Sequence, residues 1–285
     1  MVSLTRLLKG LLWTLRHGSN LGRIAMMWTY FRIEIKLALL VRLLRINRYA
    51  ETVWGQTLYF PDYELFEILF EEIYLPGIYF FRSAQARPNI VDCGANIGVA
   101  IAYLLTLYPE ATITAFEADD GTFQFLARNR DQNHWTNVEL HQAAVHRAED
   151  NLTFFSRPTA PLASSFRKSI SASEPTRVIE MRTVRLSSYI NRPVDLLKLD
   201  VEGSEIAVLE DLVESGKLQF IDQIIMEYHH HIEPDEDRLG YFLSLLEQNG
   251  FGYELRARTV LPFAAGRRQN FMLLAYQKKP APKST

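Results

Sequence analysis

The chain is organised around one stretch of ten residues, which reads Asn89-Ile90-Val91-Asp92-Cys93-Gly94-Ala95-Asn96-Ile97-Gly98. A short apolar run leads directly into an acid and two glycines, and an apolar helical pattern begins at Val99. This order predicts a strand, a tight turn and a helix, the first crossover of a Rossmann-like α/β sheet. We expect Gly94 to let a ligand approach the backbone and Gly98 to let the helix pack against the strand.

The polar residues of this turn indicate which ligand it binds. Asn96 occupies the place of the second glycine of a dinucleotide fingerprint, and Asp92 would repel a pyrophosphate but attract the ammonium group of a methionine-like ligand. The next strand-like run ends in Glu117, at about the twenty-residue distance where such folds place a ribose-binding acid. The pattern favours S-adenosylmethionine over NAD, with ordinary loop glycines and a solvated Glu117 as the alternative.

The end of the third predicted strand is the expected adenine position. Gln142 and Ala143 follow the strand-like run that begins at Val138. Small side chains there would leave room for a flat base, although alanines in a turn are equally typical of plain packing.

A second informative stretch is Val194-Asp195-Leu196-Leu197-Lys198-Leu199-Asp200-Val201-Glu202-Gly203-Ser204-Glu205. Alternation puts Lys198, Asp200 and Glu202 on one side of a buried strand as it reaches the carboxyl edge, where such sheets bind ligands. We expect Asp200 and Glu202 to be catalytic. Lys198 either belongs to the same site or simply neutralises Asp200, because buried acids need partners.

The fifth predicted strand runs into His229-His230-His231. Alternation places Glu227, His229 and His231 on one side, where a carboxylate and imidazoles can act as acid, base or metal ligand. Three adjacent histidines are more typical of a polar loop than of a metal site, so we expect no metal and a catalytic role for His229.

Length and composition predict one main domain. The 285 residues, 48% of them hydrophobic, can bury one large α/β core over residues 51–278, preceded by a helical arm of residues 1–50 and followed by a frayed tail of residues 279–285. The single cysteine, Cys93, excludes an internal disulfide, suits a structural role and indicates a reducing compartment, the cytoplasm.

Charge is distributed unevenly along the chain. Nine basic residues and one acid precede Ala50, a net +8, which leaves −10 for the rest of a chain with a formal charge of −2. Such an arm either packs on the acidic body or on a sister subunit in a homo-oligomer, or lies as a peripheral anchor on the inner membrane surface. Its apolar runs are too interrupted to span a bilayer, and no motif for binding nucleic acid is present.

Two further segments suggest a substrate entrance. The polar segment of residues 156 to 176 has no hydrophobic period and is interpreted as a substrate lid or a disordered loop. Residues 51 to 81 are dense in aromatics, which either seal the start of the sheet or line an entrance, with Pro61-Asp62 opening a helix.

These motifs together resemble the FkbM-type branch of the class I methyltransferases that use S-adenosylmethionine. The likeness rests on the turn of residues 91–98, on Ala115-Phe116-Glu117, on residues 197–205 and on Ile225-Met226-Glu227-Tyr228-His229, and it covers about residues 59–276. It implies a seven-stranded sheet with an antiparallel last strand, and a cofactor held at Asp92, Gly94, Asn96 and Glu117. It also implies methylation of a hydroxyl on a sugar or polyketide. Ala118 stands where such families have proline, which loosens the turn but keeps the acid.

Three functions are therefore weighed. An O-methyltransferase acting on a sugar, glycolipid or polyketide-like small molecule is the first, because the expected cofactor acids are both present. A membrane-associated binding or scaffold protein that keeps the fold without catalysis is the second. A nicotinamide oxidoreductase is disfavoured by Asn96.

Overall fold

A computed structural model describes residues 12, 20–46, 49–156, 177–230, 237–257 and 269–278. Most of residues 1–19 of the expected helical arm, the expected lid, His231 and the expected frayed tail lie outside these residues. The chain divides into two compact units. Unit 1 comprises Met1–Arg87, Ala95–Thr112 and Asp120–Glu139, and unit 2 comprises Pro88–Gly94, Ile113–Asp119 and Leu140–Thr285.

The secondary structure alternates strands and helices along the chain. The strands are β1 Ala50–Val53, β2 Gln56–Tyr59, β3 Asn89–Cys93, β4 Thr112–Glu117, β5 Val138–Gln142, β6 Ala144–His146, β7 Asn151–Ser156, β8 Arg177–Arg185, β9 Val194–Leu199, β10 Ile221–His230, β11 Phe251–Ala257 and β12 Gln269–Gln277. The α-helices are α1 Arg23–Lys36, α2 Tyr63–Ile73, α3 Val99–Leu107, α4 Asp120–Gln132, α5 Glu205–Glu214 and α6 Leu239–Gln248.

A seven-stranded sheet dominates the structure, with the strand order β11-β12-β10-β9-β3-β4-β5. Strand β9 runs parallel to β3 and to β10, whereas β12 runs antiparallel to both β10 and β11. The predicted Rossmann-like sheet with an antiparallel last strand is confirmed. Parallel strands of this kind bring their carboxyl ends to one edge, which is where the candidate site lies.

The core of unit 2 forms because the central strands are apolar on both faces. Strand β9 buries Leu196 on one face and two further leucines on the other, where they pack with apolar side chains of β10, α5 and α6. The residues of this packed cluster are Leu197, Leu199, Ile224, Met226, Val208, Leu209, Leu212, Phe242 and Leu246. Such continuous apolar runs are typical of parallel strands that are covered on both sides.

A separate three-stranded sheet in unit 2 was not expected from the sequence. Its order is β6-β8-β7, with β6 and β8 parallel and β7 and β8 antiparallel. The Thr183 side chain ties this sheet together, because its hydroxyl donates to the Ala148 carbonyl at 2.7 Å and accepts from the Asp150 amide at 3.0 Å. The apolar patterns of residues 151–155 and 177–184 predict β7 and β8. Strand β6 and the pairing were not predicted, because they depend on contacts distant in sequence.

In unit 1, two asparagine side chains bind the backbone of the β1-β2 hairpin: Asn129 near the end of α4 and Asn133 just after it. The Asn129 side chain accepts from the Tyr59 amide at 2.6 Å and donates to the Tyr59 carbonyl at 2.9 Å. Asn133 makes the same pair of bonds to Thr57, at 2.7 Å each. A carboxamide can satisfy one backbone donor and one acceptor together, so the two side chains take the place of a neighbouring strand.

The aromatic residues after Glu51 form the core of unit 1. Helix α2 begins after Asp62, whose carboxylate accepts from the Leu65 amide at 2.7 Å, as expected for the predicted helix start. The rings of Trp54, Phe70 and Tyr74 stack, with centroids of neighbouring rings 4.9–6.3 Å apart. Most of these rings are buried, which favours sealing over an entrance.

The described part of the basic arm is helix α1, which continues as a π-helical turn over Leu37–Leu43. Its buried face carries Met26, Tyr30, Ile33, Glu34 and Leu37. Among the residues with described positions, no helix is long and apolar enough to cross a membrane.

Three cations of this arm pair with acids of the same unit. Arg32 lies 3.1 Å and Lys36 2.7 Å from Glu51, and Arg42 lies 3.1 Å from Glu64. The acid Glu51 is itself buried and also accepts from the Tyr63 hydroxyl. These contacts account for part of the positive charge of the arm within the protein itself.

Candidate active site

The turn after β3 depends on Gly94, which has a φ of +84°. A Cβ atom at this position would overlap the backbone carbonyl oxygen of Asp200. Two hydrogen bonds hold this approach: the Gly94 amide donates to the Phe116 carbonyl and the Asp200 amide to the Cys93 carbonyl, both at 3.0 Å. The glycine therefore admits the end of β9, a contact that the sequence did not reveal.

Asp92 and Lys198 form a buried ion pair directly beneath this turn. Their charged atoms are 2.9 Å apart, and both side chains are almost completely buried. Burial raises the pKa of Asp92 while Lys198 lowers it, and the Lys198 ammonium also donates to the Gly94 carbonyl at 2.8 Å. The carboxylate that we expected to meet a ligand thus faces Lys198.

Glu117, Gln142 and Ala143 lie together at the ends of β4 and β5. The Ala143 amide donates to the Glu117 carbonyl at 3.1 Å, and the Glu117 carboxylate accepts from the Asp119 amide at 2.9 Å. Ala143 is buried, Gln142 is exposed and Glu117 is half-buried. The Asp119 bond orients the Glu117 carboxylate at the sheet edge, a position that suits an acceptor for ribose hydroxyls.

Asn96 and Gly98 belong to unit 1 and shape the start of α3. Asn96 has a φ of +51°, and its side-chain oxygen accepts from the Ile97 amide at 2.7 Å. Gly98, with a φ of +91°, caps the helix, and a Cβ there would come within 2.9 Å of Leu126 and 3.3 Å of Trp135. Within unit 1, the missing side chain of Gly98 makes room for Leu126 and Trp135. We had expected it to make room for packing of the helix against a strand.

Cys93 ends β3 as a structural residue. It is completely buried, and burial raises the pKa of its thiol beyond the range of a nucleophile.

A cluster of acids surrounds His229 at the carboxyl edge of β9 and β10. The Nδ1 atom of His229 lies 2.7 Å from Glu205, and its Nε2 atom lies 3.5 Å from Glu202 and 3.9 Å from Glu227. Burial lowers the pKa of His229, but Glu205 above all, then Glu202 and Asp200, raise it to about 10. The imidazole is therefore a cation at neutral pH, which does not suit the predicted role of a base.

The approach of Glu205 to His229 depends on a strained turn that follows β9. Glu202 has a φ of +50° and Gly203 of +109°, and the Gly203 amide donates to the Glu205 carboxylate at 3.0 Å. This turn reverses the chain into α5 and aims Glu205 at His229. The spacing of acids in residues 200–205 was visible in the sequence, but the partner of Glu205 was not.

Glu227 lies beside His229, on the side of β10 where the sequence predicts a group that can act as acid, base or metal ligand. Burial first, and then Asp200, raise its pKa, whereas His229 lowers it. The Asn270 amide donates to its carboxylate at 2.6 Å and holds it in place. Only the antiparallel pairing of β10 with β12, which sets His229 opposite Asn270, could identify this partner.

The same groups include a possible ligand set for a metal. Ligand atoms of Asp200, Glu227 and His229 all lie within 4.8 Å of one another. His229 and His230 lie in strand β10, where we had expected a polar loop. The Nδ1 contact with Glu205 is the arrangement that orients a metal-bound imidazole, and it equally stabilises an imidazolium.

Known proteins share the segment that contains these residues. The family model described as Methyltransferase FkbM domain matches residues 92–253, a range that includes every predicted site residue. Methyltransferase 1 of Beauveria bassiana (strain ARSEF 2860) is 29% identical over 208 residues, which cover 65% of this chain and 80% of that protein. The 31-O-demethyl-FK506 methyltransferase FkbM of Streptomyces tacrolimicus is 29% identical over 220 residues, covering 65% of this chain and 81% of that protein.

Among solved structures, the chain is similar to methyltransferase FkbM from Methylobacillus flagellatus KT. The superposition has a TM-score of 0.46 at 17% identity, and it covers 73% of this chain and 53% of that one. The chain therefore spans about half the length of that protein.

Replacing Gly94 by alanine tests the close approach of Asp200. The left-handed conformation alone costs about 1–2 kcal/mol for a residue with a Cβ atom, and the overlap with the carbonyl oxygen adds to it. We expect G94A to lower the free energy of unfolding in urea by at least about 2 kcal/mol. The control G240A, where a Cβ meets nothing within 4 Å, should leave stability unchanged or raise it. Equal stability of G94A and wild type would contradict the geometry.

Replacing Glu205 by glutamine tests the charge state of His229. In the wild type, NMR of the imidazole nitrogens of His229 should show the cationic form at pH 8. The contribution of this cation to folding stability is complete below the unfolded pKa of about 6.5 and is lost as the pH rises through about 10. In E205Q the pKa of His229 should fall, because its strongest charge partner is gone. E214Q, at the exposed end of the same helix, serves as the control. A wild-type imidazole that titrates near 6.5 would refute this assignment.

Proposed function

Because the chain belongs to the FkbM methyltransferase domain family, we propose that it transfers the methyl group of S-adenosylmethionine to a hydroxyl oxygen of a sugar, glycolipid or polyketide-like small molecule. The observation that carries this proposal is the acid cluster around His229 at the carboxyl edge of the sheet, within the matched range. One relative is named for acting on 31-O-demethyl-FK506, which supports oxygen as the acceptor.

Unit 2 offers groups that fit the methyl donor. The Glu117 carboxylate, oriented by the Asp119 amide, would accept the ribose hydroxyls, and Gln142 and Ala143 beside it would adjoin the adenine. Gly94 remains a predicted contact of the donor through its backbone, because the place of a side chain at this position is taken by the Asp200 carbonyl. In this proposal Asp92 acts indirectly, since its ion pair with Lys198 holds the Gly94 carbonyl, and Asn96 and Gly98 remain predicted contacts.

The cofactor, when bound, supplies a sulfonium methyl group that can pass to an oxygen nucleophile and leave a neutral thioether. The protein must align the acceptor oxygen and take up its proton. We assign the proton to Glu227, with Asp200 beside it, because burial and Asp200 raise the pKa of Glu227 and so make it a stronger base, and because Asn270 fixes its orientation. His229, as a cation, would oppose the rise that burial causes in the pKa of Glu227, and Glu202 and Glu205 would hold His229 in place.

Replacing Glu227 by glutamine tests this division of roles. Once labelled S-adenosylmethionine has identified an acceptor among glycan, lipid and small-molecule fractions, E227Q should lower kcat by about 10²–10⁴-fold, the usual contribution of a general base. Binding of the demethylated cofactor, measured by calorimetry, should stay within about threefold of the wild type, since Glu227 acts on the acceptor. E254Q, an exposed acid on β11, should match the wild type.

Two outcomes would contradict the proposal at different points. Unchanged turnover in E227Q would remove this residue from the mechanism but leave the methyltransferase intact. No binding of the donor or of its demethylated product would favour the alternative function, a membrane-associated scaffold that keeps the fold without catalysis.

We further propose that the arm contacts an anionic membrane surface. Ile24, Trp28 and Ile35 share one face of α1 and are 75%, 67% and 37% exposed, although their counterparts on the opposite face are buried. Arg23 at one end of this helix and Arg45 beyond the other are exposed. Exposed apolar residues with flanking cations are typical of helices that lie in a membrane interface.

Flotation of the full chain with lipid vesicles tests this contact. We expect binding to vesicles that contain phosphatidylglycerol and little binding to phosphatidylcholine alone. W28S should bind at least about tenfold more weakly, because burying a large apolar side chain contributes about 1.5–3 kcal/mol. The control L255S changes an exposed leucine of β11 and should bind as the wild type does. Absence of flotation together with a Trp28-dependent dimer would instead assign this face to a homo-oligomer.

A further inference from the structure

Glu34 is a buried acid that the proposed reaction does not use. It lies on the apolar face of α1, beside Tyr30, Ile33 and Leu37, with a relative exposure of 1%. Neither of its carboxylate oxygens accepts a hydrogen bond from any described residue. An ionised carboxylate in such a place is costly unless a cation or a set of donors compensates it.

Two acids of α2 converge on the same point within unit 1. Glu67 and Glu71 are one helical turn apart and lie on one face of α2, an arrangement that destabilises a helix when both are charged. Glu67 is 1% exposed, and Glu71 accepts from the Tyr30 hydroxyl at 2.9 Å. One oxygen from each of Glu34, Glu67 and Glu71 lies within 4.8 Å of the others. Glu34 thus points at two further carboxylates.

The neighbouring cations of α1 are directed elsewhere. Arg32 and Lys36 are two residues away from Glu34 on either side, and residues two apart lie on opposite faces of a helix. Both contact Glu51, at 3.1 Å and 2.7 Å. These two side chains therefore do not compensate Glu34.

We propose that Glu34, Glu67 and Glu71 form a binding site for a divalent cation, which joins α1 to α2. Carboxylate oxygens are ligands for hard cations, and oxygens on opposite sides of a calcium ion lie about 4.6–5.2 Å apart, since each Ca–O bond is about 2.3–2.6 Å. The cluster is compact enough to satisfy this distance. Ca²⁺ suits it better than Mg²⁺, because Mg²⁺ usually keeps several waters and the Glu34 and Glu67 side chains are almost completely enclosed.

Tyr30 adds a spectroscopic reporter to the site. Its hydroxyl contacts Glu71, so a lanthanide held by the three acids would lie close to the phenol ring. Terbium can take the place of calcium, because the two ions are similar in size and both prefer oxygen ligands. It emits light when a nearby tyrosine is excited. A titration with TbCl₃, followed by competition with CaCl₂, therefore reads out this site independently of methyl transfer.

The test compares the full-length wild type with E34Q and E64Q. Glu64 is an exposed acid on the same helix as Glu67, so E64Q is matched in charge but lies outside the cluster. The wild type and E64Q should show saturable tyrosine-sensitised terbium emission that CaCl₂ displaces. E34Q should bind terbium at this site at least about tenfold more weakly, because the charge of the ligands sets the affinity of such sites. Millimolar CaCl₂ should also raise the melting temperature of the wild type and E64Q but not that of E34Q.

The opposite results would overturn the cation site. If the carboxyls instead share protons, or if an amino group of the chain fills the position, the terbium signal would be the same in E34Q and the melting temperature would not respond to CaCl₂. Because every readout is binding or stability, failure of this site leaves the proposed methyl transfer untouched.

Discussion

The buried ion pair between Asp92 and Lys198 is the interaction on which the site in unit 2 depends. It joins β3 to β9 at the centre of the sheet, and each charge is tolerated in this place only because the other is there. A slip of one residue between the strands would turn Lys198 to the opposite face and leave Asp92 alone. The pair therefore fixes the register, and with it the contact of the Asp200 backbone with Gly94.

From this register follows the electrostatic arrangement at the sheet edge. Asp200 and Glu202 follow directly after β9 at the carboxyl edge, and the pairing of β9 with β10 places Glu227 and His229 beside them. One imidazolium lies among several carboxylates, and its charge opposes the rise that burial causes in the pKa of Glu227. The roles that the sequence suggested for single residues are thereby divided: the histidine carries charge, and the acids are left to accept a proton.

The sequence allowed the local elements of the fold to be predicted closely. The strand that begins at Val138, the helix that follows Asp62 and the helix that begins at Val99 occur where they are predicted, because hydrophobic periodicity and end signals act over a few residues. The turn glycines and the acid at the end of β4 were recognised for the same reason. The partners of buried charges were not, since Lys198 could be paired with Asp200 on sequence distance alone, whereas strand pairing sets it opposite Asp92.

What the sequence by itself determined is the order of strands and helices, the family likeness and the identity of the polar residues at the carboxyl edge, because these follow from composition and spacing along one chain. The tertiary structure decided which of these residues are buried, which charges meet and which side chains they orient. Glu205 with His229, Asn270 with Glu227, and the convergence of Glu34 with two acids of another helix all join segments far apart in sequence. Such contacts depend on packing and strand register, which no local pattern encodes.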